Sequence, residues 1–323
     1  AKSSPGAKLA FNLDPLSAFA VAGASPGPVE SHIVSAATVA ARHAQVYPQA
    51  QLFLASGCAA HEAGGGEALE VAFAAAAALA YAKALVRAGL PITEAFGRIT
   101  LGLAADADYF LAIAKLRAAR AVFARIATAC GAETGARIEA RSSHRMLTAQ
   151  DPWTNMIRLT AAGFAAAAGG ADAVILGTFT DALGLPTAFA RRQARNTQLV
   201  LMDEANVGKV ADPAAGSGYV EALTDEIARA AWSKLQAIEA AGGLIAALEK
   251  GLVAREVEAA IAARGEPTVL GVTAFPPSEP ARVEVESAAP ARLDPEGARL
   301  PGPDGKCPPL APIRLAQAYE KGE

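Results

Sequence analysis

Cys58, His61 and Glu62 stand within five positions of one another and run into Gly64-Gly65-Gly66. A thiol with an imidazole three residues on is the spacing that could make a thiolate nucleophile. The plainer reading is a small buried cysteine. His61-Glu62 could hold a metal, but adjacent loop residues seldom converge on one ion, and no third ligand lies nearby. A loop-capping pair is the simpler expectation, and no metal site is expected. The glycine triplet could cradle a phosphate. It lacks the lysine and Ser/Thr of a P-loop, which favours a flexible lead-in to a helix. Arg98 could bind an anion at a barrel mouth, or pair there with Asp106 or Asp108. His144-Arg145 could meet a phosphate or be a solvated loop end. Arg191, Arg192 and Arg195 share one helical stretch, where a solvated face with local ion pairs is the ordinary outcome.

The elements that must position these residues alternate. Strands are expected at 7–12, 51–55, 98–103, 137–141 and 172–177. The run 173–176 is apolar and partly β-branched, as in a buried parallel strand. Helices are expected at 31–46, 67–88, 107–130, 151–168, 187–206, 220–241 and 244–263. Asp151-Pro152 reads as a helix start, because Asp accepts orphan amides and Pro has none to lose. Five β/α units precede residue 207, whereas a closed (β/α)₈ barrel needs eight. The predicted fold class is therefore α/β, a TIM-type barrel of which the chain covers roughly the C-terminal five β/α units. An open half-barrel would expose strand edges, so the first three units are expected to exist beyond this sequence.

Composition narrows the function classes. The chain has 323 residues, is 52% hydrophobic and carries a formal net charge of −3, which gives no reason to invoke nucleic acid or an anionic membrane. Cys58, Cys130 and Cys307 lack CxxC spacing, which suits a reduced, cytoplasmic protein without disulfides or zinc. No basic and then apolar opening marks a signal peptide. The most apolar stretch, 71–79, is too short to span a bilayer. Residues 1–266 are expected to form the partial barrel with its C-terminal helices. Residues 267–323 are expected to form an extended strap, since 11 of the 20 prolines follow residue 266.

Several polar phrases then occur in a characteristic order: ADADYFLAIAKLRAAR (105–120), TAQDPWTN (148–155), LPT (185–187), ARNTQ (194–198) and ADPAAGSGYVEALTDEIARAAW (211–232). From about Leu9 to Ala263 the chain resembles the barrel domain of the methylmalonyl-CoA mutase family. That resemblance implies a radical carbon-skeleton isomerisation of methylmalonyl-CoA and succinyl-CoA, with adenosylcobalamin held by a separate C-terminal domain.

The departures matter as much. Where catalytic members read SGYHMQEAGA, this chain reads Ser56-Gly57-Cys58-Ala59-Ala60-His61-Glu62-Ala63-Gly64-Gly65. Cys58 replaces the substrate-facing Tyr and Ala59 the His. A catalytic Gln matches Arg141, and the Asn and Glu that contact the adenosyl group match Gly177 and Asp181. The resemblance places vestigial substrate contacts at Arg98, Thr100 and Arg141, and degenerate cofactor contacts at Cys58, Ala59, Gly177 and Asp181. No cobalamin-binding DxHxxG pattern includes any of the four histidines. This set of losses, with HEAGG and SSHRMLTAQDPWTNMIRLT, is most similar to the small, non-catalytic subunit. It implies no catalytic residue and no cofactor in this chain alone, a catalytic large subunit as partner, and a CoA ester as a possible ligand. The rivals are an active isomerase subunit and a stand-alone CoA-ester-binding barrel.

Overall fold

The computed structural model describes residues 6–279, 281–287 and 303–320. The N-terminal half winds β1 (Ala10–Leu13), α1 (Pro15–Ala22), β2 (Ala24–Pro26), α2 (Val29–Val46), β3 (Gln51–Ser56), α3 (Cys58–Glu62), α4 (Glu67–Arg87), α5 (Ile92–Gly97) and β4 (Ile99–Ala105). It continues through α6 (Tyr109–Ala129), β5 (Arg137–Ser142), α7 (Asn155–Ala168), β6 (Ala173–Ile175) and α8 (Ala188–Leu199). Three helices follow, α9 (Gly218–Ala240), α10 (Leu244–Glu249) and α11 (Leu252–Ala263), before the short strand β7 (Pro303–Lys306).

The main sheet runs β1-β3-β4-β5-β6, and every neighbouring pair is parallel. All five strands thus lie in sequence order with helices between them, as alternating β/α grammar requires. The sheet curls. Asn12 on β1 donates to Glu139 Oε2 on β5 at 3.2 Å, although two strands separate them. A flat sheet would hold strands so placed about 14 Å apart. The outer face is closed by a helix layer in which α4 packs on β3 and β4, and α9 packs on α4 and α6.

Alanine makes that layer tight. In α4, residues 71–78 are all buried, with only Val71 and Phe73 larger than alanine. This helix is long and apolar enough to cross a membrane by composition, with mean hydropathy 1.7, so the apolar stretch is longer than 71–79 suggested. Its most apolar window is 78% buried inside the fold, which makes it a core helix here.

Some sequence expectations need correction. Asp151-Pro152 does not begin a helix: α7 starts at Asn155, and Asp151 Oδ2 instead accepts the Thr154 hydroxyl at 2.5 Å one turn earlier. The expected helix 187–206 ends at Leu199 and passes into a π-helical turn, Val200–Glu204. The expected helix 244–263 is two helices, because Gly251 adopts φ +68° between them. The β6 strand is not buried on both faces; Ile175 is 40% exposed, on the strand that ends the sheet among the described residues.

Part of the C-terminal segment lies against the domain. β7 pairs antiparallel with β2, Cys307 N donates to Gly23 O, and Leu310 and Ala316 are buried. Farther on, Ile313 N donates to Glu62 O and Leu315 N to Arg145 O. Residues 288–302 of the expected strap fall outside the described residues.

Gly57, between β3 and α3, has no room for a side chain. An added Cβ would sit 2.2 Å from the Glu70 carbonyl oxygen. Gly57→Ala is therefore expected to destabilise by about 3 kcal/mol, the upper range for overpacking. Urea denaturation measures this, and a change below about 1 kcal/mol would mean that α4 moves aside freely.

Candidate active-site rim

Parallel strands place all their carboxyl ends on one side, and this rim is where barrel enzymes hold their chemistry. Here it carries Asp14 after β1, the Gly57–Glu62 segment after β3, Asp106 after β4, Ser143 to Arg145 after β5, and Gly177 to Asp181 after β6.

At its centre is a buried charge network. Glu70, on α4, is fully enclosed and accepts Lys115 Nζ at 2.6 Å and the Ala104 amide at 2.5 Å. His61 Nδ1 lies 3.0 Å from Glu70 Oε2, out of line for a hydrogen bond, while its Nε2 contacts Ser143 Oγ at 2.9 Å. Arg145 Nη2 reaches Asp106 Oδ2 at 2.9 Å, and Nη1 donates to the His61 and Gly65 carbonyls. Burial alone would raise the Glu70 carboxyl. The Lys115 and His61 charges outweigh it and hold the pKa down to about 2.

A second, half-buried acid, Asp14, caps α1 through the Ser17 amide and accepts the Tyr81 hydroxyl at 2.6 Å. Desolvation outweighs the hydrogen bonds from Tyr81 and Ser17 and pushes Asp14 up to about 6.

The sequence-selected residues are distributed unevenly. Cys58 is half-buried, and burial together with the Glu70 charge pushes its thiol up to about 12, so it is not a poised nucleophile. Ala59 is buried beside it. Gly177 and Asp181 share one closed turn: Asp181 Oδ2 accepts the Thr178 amide at 2.8 Å, and the Gly177 amide donates to Ser142 Oγ at 2.7 Å. A Cβ at Gly177 would stand 2.5 Å from Asp181 Oδ2, so a larger residue there would have to displace the turn. Arg141 lies on the concave face of β5, 47% exposed at its side chain, and donates to Glu139 Oε1 at 2.8 Å.

Arg98 and Thr100 are elsewhere. Arg98 precedes β4, at the opposite end of the sheet from the rim, and donates to Glu94 and to the Ala50 carbonyl. It pairs with neither Asp106 nor Asp108. Thr100 is buried one residue into β4, near Gln51. The His61-Glu62 reading was half right. Glu62 caps the loop by accepting the His144 and Arg145 amides, but His61 is wholly buried among charges. Arg145 is likewise buried, not a solvated loop end. Glu70 and Lys115 escaped sequence reasoning. The available signal was a charge inside each of two otherwise apolar helix faces.

With this geometry in view, the relatives are informative. Residues 8–297 match the family model described as methylmalonyl-CoA mutase. The chain belongs to the methylmalonyl-CoA mutase family. It is 41% identical over 284 residues to the methylmalonyl-CoA mutase small subunit of Streptomyces virginiae, covering 85% of this chain and 44% of that protein. It is 47% identical over 198 residues to the probable small subunit of Mycobacterium bovis, covering 59% and 32%. Against the small subunit of Propionibacterium freudenreichii subsp. shermanii it is 37% identical over 302 residues, covering 89% and 47%. The chain thus spans less than half the length of these mutase small subunits.

The two acids give opposed pH dependences. Glu70 favours folding while ionised, an effect complete above its ordinary 4.5 and lost as pH falls toward about 2. Asp14 binds its proton more tightly when folded, so its contribution is complete below 3.8 and lost as pH rises through about 6. Asp14→Asn should flatten the stability loss between those two values in denaturant titrations at stepped pH. Glu70→Gln should cost about 3–5 kcal/mol at neutral pH, because Lys115 is left buried without its counter-charge. If Glu70→Gln proves neutral, the network is not what holds the rim.

Proposed function

We propose that this chain is the barrel segment of a methylmalonyl-CoA mutase small subunit, carries no catalytic group, and supports a catalytic large subunit. The observation that best supports this is the packed rim. Where catalytic members present Tyr and His, Cys58 and Ala59 offer a high-pKa thiol and a methyl group. The Gly177–Asp181 turn is closed on itself at the positions that would face an adenosyl group. His61, the one fully buried histidine, has both ring nitrogens against protein groups, which leaves none for cobalt. The residues present do not suit adenosylcobalamin, and on this reading the cofactor belongs to the partner in a cytoplasmic heterodimer of propionate metabolism.

The concave face keeps a polar chain, Asn12 to Glu139 to Arg141, with the Asn12 side-chain oxygen Oδ1 buried and unpartnered among the described residues. That favours a second reading, in which a CoA ester still enters the bore and meets the half-exposed Arg141 guanidinium.

Contact with the large subunit is assigned to the proline-rich segment. Phe275 is 85% exposed there, and a bare aromatic is the type of side chain that anchors an interface. Obligate pairing of this kind buries roughly 2,000 Å² or more. Mixed with adenosylcobalamin and methylmalonyl-CoA, the purified chain should produce no succinyl-CoA and retain no cobalamin absorbance after gel filtration. Retained cobalamin would overturn the non-catalytic reading. Phe275→Ala should weaken co-purification with a co-expressed large subunit about ten-fold, the loss of roughly 1.4 kcal/mol. Unchanged co-purification would move the interface to the barrel's outer helices.

A further inference from the structure

A cavity of about 620 Å³ lies outside the sheet's concave face, between the rim loops after β4 and β5, α7 and the C-terminal segment. Its apolar wall includes Leu111, Met146, Ile157, Val269 and Leu315. Three arginines also line it: Arg145, Arg158 and Arg264.

These arginines differ in one respect. Arg145 is matched by Asp106 at 2.9 Å, with Glu67 at 3.7 Å. Arg158 donates only to uncharged oxygens: Asn155 Oδ1 at 2.9 Å, Thr148 Oγ1 at 3.4 Å and the Leu270 carbonyl at 2.7 Å. Arg264 donates to the Gly64 carbonyl at 3.1 Å. No carboxylate among the described residues lies within ion-pairing distance of either. Burial pulls both guanidiniums below the usual arginine range, yet arginine stays charged in proteins. Asp151 acts on Arg158, and Glu67 and Asp106 on Arg264, only from beyond ion-pairing distance, so two partly desolvated cations on one cavity have no direct carboxylate partner among the described residues.

The opposite side of the cavity limits which anion fits. Asp106, Asp108 and Glu67 line it as well. Burial raises the Asp108 carboxyl, and Asp106 and Glu67 raise it further, so negative potential already accumulates there. A doubly charged phosphate would meet about twice the repulsion there that a single charge on an apolar body meets. The volume falls in the ordinary range for small-molecule sites.

We propose that this cavity binds a singly charged organic anion, a carboxylate on a short aliphatic body, with Arg158 and Arg264 as its charge partners. The aliphatic part lies against Leu111, Ile157 and Val269. Because Arg264 ends α11 and Val269 belongs to the segment beyond it, the bound anion joins that segment to α7. The site is separate from the bore and stands whether or not the mutase reading does.

Isothermal titration of the chain with hexanoate, hexanamide and inorganic phosphate tests this, with methyl chemical shifts of Leu111 and Ile157 reporting the location. Hexanoate should bind, should move both methyl signals, and should bind about ten-fold or more tightly than hexanamide, as a charge-assisted pair requires. Phosphate should bind more weakly than hexanoate. Arg264→Gln, whose one lost bond is to a loop carbonyl, should weaken hexanoate about ten-fold while the chain stays folded, and Arg158→Gln should do likewise. Absence of hexanoate binding, equal affinity for hexanamide, tighter phosphate binding, or unchanged affinity in Arg264→Gln would each overturn the proposal.

Discussion

The rim depends on one buried carboxylate. Glu70 sits inside the most alanine-rich helix of the protein, where an unpaired charge would be very costly. It is tolerated because Lys115, His61 and the Ala104 amide converge on it. Those partners come from α6, α3 and the end of β4, so a single carboxylate sets the relative positions of four elements. The same helix turn presses its backbone against Gly57, which fixes where the chain leaves β3. Asp106 and Arg145 extend the network to the loop after β5, and the C-terminal segment closes over it at Glu62 and Arg145.

A charge network this enclosed has consequences for chemistry. Lys115 pairs with Glu70, and Arg145 with Asp106. The lowered pKa of Glu70 follows from neighbouring charge that outweighs burial, and the raised pKa of the Cys58 thiol from burial together with the Glu70 charge. In a catalytic barrel the rim would be open and its titratable groups poised. On the proposed reading the same rim is scaffold. Among the described residues, the polar chain from Asn12 to Arg141 and the two guanidiniums without a direct ion pair, Arg158 and Arg264, are places where the fold still offers unfilled interactions.

Alanine abundance is the other physical theme. Small side chains let α4 lie close to β3, β4, α2, α6 and α9 together. Such a helix contributes little area per residue, so its stability must come from the closeness of packing and from the larger anchors Phe73, Tyr81 and Leu85, all fully buried. Tyr81 joins the two themes, since its ring stacks on Phe53 at 4.4 Å while its hydroxyl meets Asp14.

The amino-acid sequence alone was enough for the order and direction of the five strands, because apolar periodicity and the right-handed crossover rule leave few alternatives. It was enough for the family too, through polar phrases that no packing requirement imposes. The same resemblance puts Cys58 and Ala59 where catalytic members would carry Tyr and His. Only the tertiary structure decided that His61 is buried beside Glu70 and Ser143 and is not a loop cap, that Arg98 and Thr100 lie at the far end of β4, and that Glu70 pairs with Lys115 across 45 positions. Burial and ion pairing are properties of the assembled layers. Local sequence carries the period of an element, but which charge faces which depends on how two helices and a strand end meet in space.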